Sequence, residues 1–172
     1  MFIIIIVAIF DQITKLLALH YLSQSSSIKV LGDFFMLTLT YNKGGAMGTS
    51  FVSPNFYLIL SIIILIIILY YIYINSTNRI LSIPLAIIAG GAIGNIVDRI
   101  VRGEVIDFLD FDFFNINIFG YQMDRWWTFN FADVFISCSI IYLLVIMFII
   151  KHDETNNEPP KENNLFENKQ SQ

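Results

Sequence analysis

A chain of 172 residues that is 56% hydrophobic, 14% charged and of mean hydropathy +0.67 is not a soluble domain, in which about a quarter of residues carry charge. Its length allows one domain with a few membrane spans, and its net charge of −4, carried partly by the C-terminal tail, offers no basic patch for nucleic acid. Its one cysteine, Cys138, excludes an internal disulfide and a cysteine-rich metal site, and reads as an inert thiol in an apolar run.

Residues 1–22 are apolar except for Asp11, Gln12, Thr14, Lys15 and His20. No Lys or Arg precedes the apolar run and no small-x-small cleavage site follows it, so a first membrane span is expected in place of a cleaved leader. Asp11 and Lys15 lie four apart and share a helix face. They suit either an ion pair that makes two charges tolerable in lipid or an orienting role beside a site. Residues 23–27 are a polar break. Residues 34–41 then alternate, with Phe35, Leu37, Leu39 and Tyr41 on one side and Met36, Thr38 and Thr40 on the other. That period of two predicts a half-buried strand, which must lie outside the hydrocarbon because a free edge cannot face lipid. The strand runs into Asn42-Lys43-Gly44-Gly45-Ala46-Met47-Gly48. Its glycines suit either an ordinary turn or a close approach of backbone to ligand.

Residues 56–74 form an uncharged second span, 75–79 a short polar hairpin, and 80–101 a third span. Gly90 and Gly94 let another helix come close, and packing within the chain is expected rather than a dimer. Asn95, Asp98 and Arg99 follow at i, i+3 and i+4 on one face. An ionisable group costs roughly 2.5–3.5 kcal/mol at mid-bilayer, so these are functional candidates. Residues 102–130 interleave Glu104, Asp107, Asp110, Asp112, Asp124 and Arg125 with phenylalanines and end near Trp126 and Trp127. They read as a segment on the membrane surface with Trp at headgroup level. A fourth span over 131–150 carries Asp133 in its first turn, and 151–172 reads as a disordered polar tail. The expected fold class is membrane α: a four-transmembrane-helix bundle with a small β-strand region and an interfacial aromatic loop or helix. Residues 1–150 form its single membrane-embedded domain.

Four spans put residues 23–55 and 102–130 on one side of the membrane and both termini on the other. The distribution of Lys and Arg does not decide which side is which. Asp107, just past the third span, and Asp133, at the start of the fourth, then lie near the same face and can meet. Two close carboxylates resist joint ionisation, so one keeps a proton and the pair titrates as a unit. The ionised member can take a proton from water while the protonated one polarises a peptide carbonyl, as in aspartic proteases. The bland alternative is surface charges on a wet loop. Other hydrolytic devices are missing: the chain has neither H-E-x-x-H nor G-x-S-x-G, and His20 and His152 lie far from Cys138 along the spans. A transporter using Asp11, Lys15, Asp98 and Arg99 as an ion path is a second reading, weakened by the absence of a polar lining in the second span. A non-catalytic scaffold is a third.

Five motifs in order make the chain resemble the lipoprotein signal peptidases, the signal peptidase II class of bacterial membrane aspartic peptidases. They are Asp11-Gln12-Ile13-Thr14-Lys15, the Asn42–Gly48 segment above, Gly94-Asn95-Ile96-Val97-Asp98-Arg99, Val105-Ile106-Asp107-Phe108 and Phe129-Asn130-Phe131-Ala132-Asp133. Met47 stands where that family usually has Phe, and the connection between the two acids is longer and more aromatic than usual. The resemblance implies catalytic Asp107 and Asp133 on the extracytoplasmic face, with both termini cytoplasmic. It further implies that Asp98 supports the site and that Asn42, Gly44, Asn95, Arg99 and Asn130 hold the substrate backbone or orient the pair. Asp11 and Lys15 would brace the first helix. The implied activity is removal of the signal peptide from diacylglyceryl-modified prolipoproteins just before the lipidated cysteine, by a monomer in a bacterial membrane. It implies no metal or organic cofactor, and inhibition by globomycin.

Overall fold

In the computed structural model, residues 2–44, 53–112, 116–118, 121–123 and 125–157 are described. The described residues form four helices, α1 (Phe2–Tyr21), α2 (Pro54–Ile74), α3 (Arg79–Arg102) and α4 (Phe131–Asn157). They also form strands β1 (Ile28–Leu31), β2 (Phe35–Asn42), β3 (Val105–Phe111), β4 (Ile116–Ile118) and β5 (Tyr121–Met123). All four helices are long and apolar enough to cross a membrane.

The helices pack around α3. On α1 the buried positions are Ile4, Val7, Asp11, Lys15 and Ala18, a stripe at three- and four-residue spacing. On α2 no residue is fully buried; Leu65, Ile68 and Ile72 pack against Ile4, Ala86 and Ala89, while side chains such as Ile59, Ile66 and Ile67 are exposed. Glycines let the neighbours close on α3. A side chain at Gly90 would meet Val7 and the Ile4 carbonyl of α1, and one at Gly91 would meet the Ala132 carbonyl and Ile136 of α4. A side chain at Gly94 would collide with the Asp11 carboxylate. The small residues thus serve contacts inside the chain. Asn78 caps the start of α3 by accepting the Ile80 N–H, and Gly103, in the left-handed region at φ 80°, ends it.

That stop turns the chain directly into β3. β1, β2 and β3 form an antiparallel sheet in that order, with Asn42 opposite Val105 and Thr40 opposite Asp107. Between Leu37 and Thr40 the register shifts. Three steps on β2 there match two on β3, Leu109 to Asp107, so β2 carries one extra residue beside Asp107. On its other edge β3 meets Phe129, through the Leu109–Phe129 bridge. This sheet pairs residues from both long connections and so puts them on one side of the bundle, as four spans require.

Two details differ from the sequence reading. The 102–130 connection holds β3 and the β4–β5 hairpin where a surface loop or helix was expected. β3 is flanked on both edges and buried from Val105 to Asp110, so its sequence shows no inside–outside alternation to betray a strand. α4 continues past the expected end at 150 to Asn157, because no helix-breaking residue intervenes before Pro159. The remainder of the expected tail, with Gly45, Met47 and Gly48, lies outside the described residues.

Candidate active site

Asp107 sits on β3 and Asp133 in the first turn of α4, and Asn130 joins them. Asn130 caps α4. Its Oδ1 accepts the Asp133 N–H at 3.1 Å, and the Asp133 Oδ2 accepts the Asn130 N–H at 3.2 Å. This is a reciprocal capping box with Asp in the place usually held by Glu or Gln. The Asn130 amide nitrogen then reaches Asp107 Oδ1 at 2.7 Å. Helix start and carboxylate pair are therefore a single construction.

Three asparagine amides surround the pair, and each is oriented by a group that can only donate. Asn130 Oδ1 is held by the Asp133 N–H, Asn42 Oδ1 by the Gly44 N–H at 2.9 Å, and Asn95 Oδ1 by the Lys15 ammonium at 2.7 Å and, at 3.2 Å, by the Asn130 amide. With each oxygen occupied, each NH2 must turn to a carboxylate. Asn42 donates to Asp107 Oδ2 at 3.0 Å and Asn95 to Asp133 Oδ1 at 3.0 Å. All four carboxylate oxygens therefore accept one N–H from protein. Gly44 at φ 117° supplies its N–H from a backbone conformation few other residues adopt, and the Tyr57 ring of α2 fills the space where its side chain would lie.

Beneath the pair lies a cluster of buried charge. Lys15 reaches Asp11 at 2.7 Å and Asp98 at 2.8 Å, and all three side chains are fully buried. Asp98 also binds Arg102 and Gln12 and accepts the Ile106 N–H at 3.2 Å, one residue before Asp107. Asp11 accepts the Ala132 N–H at 3.0 Å, one residue before Asp133. Asp98 and Asp11 thus grip the backbone beside each member of the pair. These charges close on one another in a compact knot; they are not strung through the bundle as an ion path would be.

Burial, and next the charge of Asp133, push the Asp107 carboxyl up to about 7, against the opposing pull of its hydrogen bonds from Asn42 and Asn130. Asp133 stands in the first turn of α4. Arg99 donates to the Asn95 carbonyl at 3.3 Å and lies within electrostatic reach of Asp133 and Asp107. Its buried Nε has no hydrogen-bond partner among the described residues. An apolar cavity of about 660 Å³, lined by Trp126, Phe129, Val134, Cys138 and Ile141, reaches Asp133 from the α4 side.

The sequence-derived candidates Asn42, Gly44, Asn95, Asp98, Asp107, Asn130 and Asp133 therefore converge, with Asp11 and Lys15 directly below and Arg99 alongside. Gln12 and Arg102 went unrecognised as members of the charge knot. Arg102 is four residues after Asp98, the spacing of a helical ion pair, but its place past the expected helix end hid it. A second unrecognised group ties the sheet. Asp110 accepts from Thr38 at 2.6 Å and pairs with Arg125 at 2.8 Å, and Arg125 also donates to the Asp33 carbonyl at 2.8 Å.

A bundle of four membrane-type helices topped by a small sheet, with two carboxylates linked between sheet and helix, defines a polytopic membrane protein with a carboxylate pair at one end of its bundle. The signal peptidase II family model matches residues 3–149, and on that match the chain belongs to the signal peptidase II family, a family of bacterial membrane proteases. It is 40% identical to the lipoprotein signal peptidase of Pelodictyon phaeoclathratiforme over 146 residues, covering 83% of this chain and 86% of that one. It is 38% identical to that of Clostridium tetani over 154 residues, covering 88% and 92%. Among solved structures, a bacterial membrane enzyme determined by the in meso method at 2.3 Å superposes with a TM-score of 0.73 at 32% identity, covering 94% of this chain and 92% of that chain.

Proposed function

We propose that this protease is an aspartic endopeptidase that removes signal peptides from diacylglyceryl-modified prolipoproteins, cutting just before the lipidated cysteine. The observation that carries the reading is the Asp107–Asn130–Asp133 bridge, with every carboxylate oxygen held by an oriented donor. Asp133 is the ionised member and Asp107 the protonated one. Asp133 takes a proton from water as the water oxygen attacks the scissile carbonyl carbon, and Asp107 gives its proton to the carbonyl oxygen. The resulting gem-diol returns a proton to Asp107 as the C–N bond breaks, and Asp133 protonates the departing amine. The unpartnered Nε of Arg99 is placed to hold a substrate carbonyl. The cavity beside Asp133 suits an acyl chain or an apolar signal-peptide side chain entering from lipid. The site faces the extracytoplasmic side, both termini are cytoplasmic, and a monomer suffices because all these residues come from one chain.

The test is cleavage of a diacylglyceryl-modified prolipoprotein reporter by the purified protein in liposomes, beside an unmodified reporter. Cleavage of the lipidated reporter alone, blocked by globomycin, is expected. Equal cleavage of both reporters would reject the substrate assignment.

The pH dependence follows from the protonated role of Asp107. Raised to about 7, its carboxyl keeps its proton below that pH and loses it above, so kcat/KM falls on the alkaline side with a midpoint near 7. Asn42 donates to this carboxylate and opposes the upward shift. In Asn42→Ala, whatever the loss of rate, the alkaline limb moves to higher pH. A limb that stays put, or moves down, contradicts the assignment of Asp107 as the acid.

A further inference from the structure

Lys15 makes no hydrogen bond or ion pair to Asp107 or Asp133 among the described residues, yet it lies one amide away from the pair. An ammonium has three N–H bonds and no acceptor. Lys15 gives one to Asn95 Oδ1 at 2.7 Å and meets Asp11 Oδ2 at 2.7 Å and Asp98 Oδ2 at 2.8 Å as ion pairs. The two ion pairs serve charge balance: with Arg102 on the far oxygen of Asp98, two acids meet two bases. The hydrogen bond serves no such need. It ends on a neutral amide whose other end donates to Asp133 Oδ1.

We propose that Lys15 is a positioning residue for the reaction: by holding Asn95 Oδ1 it fixes which way the amide faces, and so keeps an N–H donor on Asp133. The inference rests on Asp107 and Asp133 being the catalytic pair. Without the ammonium, Asn95 Oδ1 keeps only the longer 3.2 Å bond from the neutral Asn130 amide, and turning over sets its oxygen against Asp133 Oδ1. Two facing lone pairs favour a protonated carboxyl, and a protonated Asp133 cannot take a proton from water. The neighbouring Asn130 and Asn42 amides are oriented by backbone N–H groups of Asp133 and Gly44, which no side-chain substitution removes. Asn95 alone takes its shortest donor, at 2.7 Å, from a titratable side chain on another helix. The charged groups facing this locus are Asp11 from α1, Asp98, Arg99 and Arg102 from α3, Asp107 from β3, and Asp133 itself from α4.

Lys15→Met alone leaves the buried Asp11 carboxylate without a counter-ion and is expected to fold poorly. The double variant Lys15→Met with Asp11→Asn leaves the net charge of the knot unchanged, and an Asn at 11 still offers an oxygen to the Ala132 N–H. In that variant kcat falls by about ten- to a hundredfold while KM changes by less than about threefold, and the acid limb of the kcat/KM profile moves to higher pH. A brace without a positioning role would leave the acid limb in place. A folded double variant with wild-type kcat and acid limb overturns the proposal, provided Asp133→Asn is inactive; an active Asp133→Asn overturns the reading of the pair instead. Should the double variant not fold, the wild-type protein decides. With 15N-labelled asparagine, the Asn95 side-chain NH2 resonance shifts through the acid limb if it donates to Asp133. A resonance that does not move through that limb overturns the proposal.

Discussion

Asp133→Asn and Asp107→Asn each lower kcat by at least about a thousandfold, towards the upper end of the range for loss of a general acid or base. An amide neither takes a proton from water nor gives one to a carbonyl oxygen. The substitutions are isosteric but not silent. Both oxygens of each carboxylate accept from donors that are themselves held in place. Any Asn at 107 therefore turns its NH2 towards the NH2 of Asn42 or Asn130. One buried donor loses its acceptor, at about 1–3 kcal/mol. Asp107→Asn is thus expected to be inactive, folded and measurably less stable. Single-turnover cleavage of a lipidated reporter, read beside thermal unfolding in detergent, separates the two effects. Near-normal turnover in either variant rejects the pair as the catalytic centre.

Asp98→Ala has the largest expected effect on stability. Its carboxylate meets Lys15 and Gln12 from α1, Arg102 within α3, and the Ile106 N–H of β3. Removing it leaves a fully buried ammonium short of one anion and a buried peptide N–H without an acceptor. Breaking one side of such a buried pair costs about 3–5 kcal/mol, a large share of the stability of a small domain. The contrast is Glu104→Gln. Lys43 and Glu104 meet at 3.6 Å with the lysine side chain 66% exposed, and a pair of that kind contributes about 0–1 kcal/mol. Unfolding midpoints of the two variants in the same detergent test the ranking. An Asp98→Ala protein as stable as Glu104→Gln would mean that the knot does not hold the bundle together.

The four helices were legible because each is a long apolar run, and β2 because its sequence alternates apolar and polar residues, although both of its faces are half-buried in the structure. β3 was hidden by its own burial: covered on both sides, it gives no period of two. Asp11 with Lys15, and Asn95 with Asp98 and Arg99, could be put on common helix faces from spacing alone. Which faces meet is decided by the glycines of α3, whose contacts run to α1 at Gly90 and Gly94 and to α4 at Gly91. Asp107 and Asp133 were placed on one side of the membrane by counting spans. Their link through Asn130 depends on β3 reaching Phe129, a long-range pairing with no local signature. The Asn130-x-x-Asp133 spacing did carry a capping signal, visible as a variant of the capping box.

The pairing of Asp11 with Lys15 has a consequence for how the protein is made. α1 leaves the ribosome before α3 exists, so for a time neither charge has its partner on that helix. Because the two are one turn apart, α1 supplies its own counter-ion. It can enter the bilayer as a neutral rod instead of carrying two lone charges at roughly 2.5–3.5 kcal/mol each. Only when α3 arrives does Lys15 gain Asp98, and only when α4 arrives does Asp11 gain the Ala132 N–H. The same contacts that complete the burial of those charges draw in β3 and the start of α4, so a half-inserted chain has not yet brought Asp107 and Asp133 together.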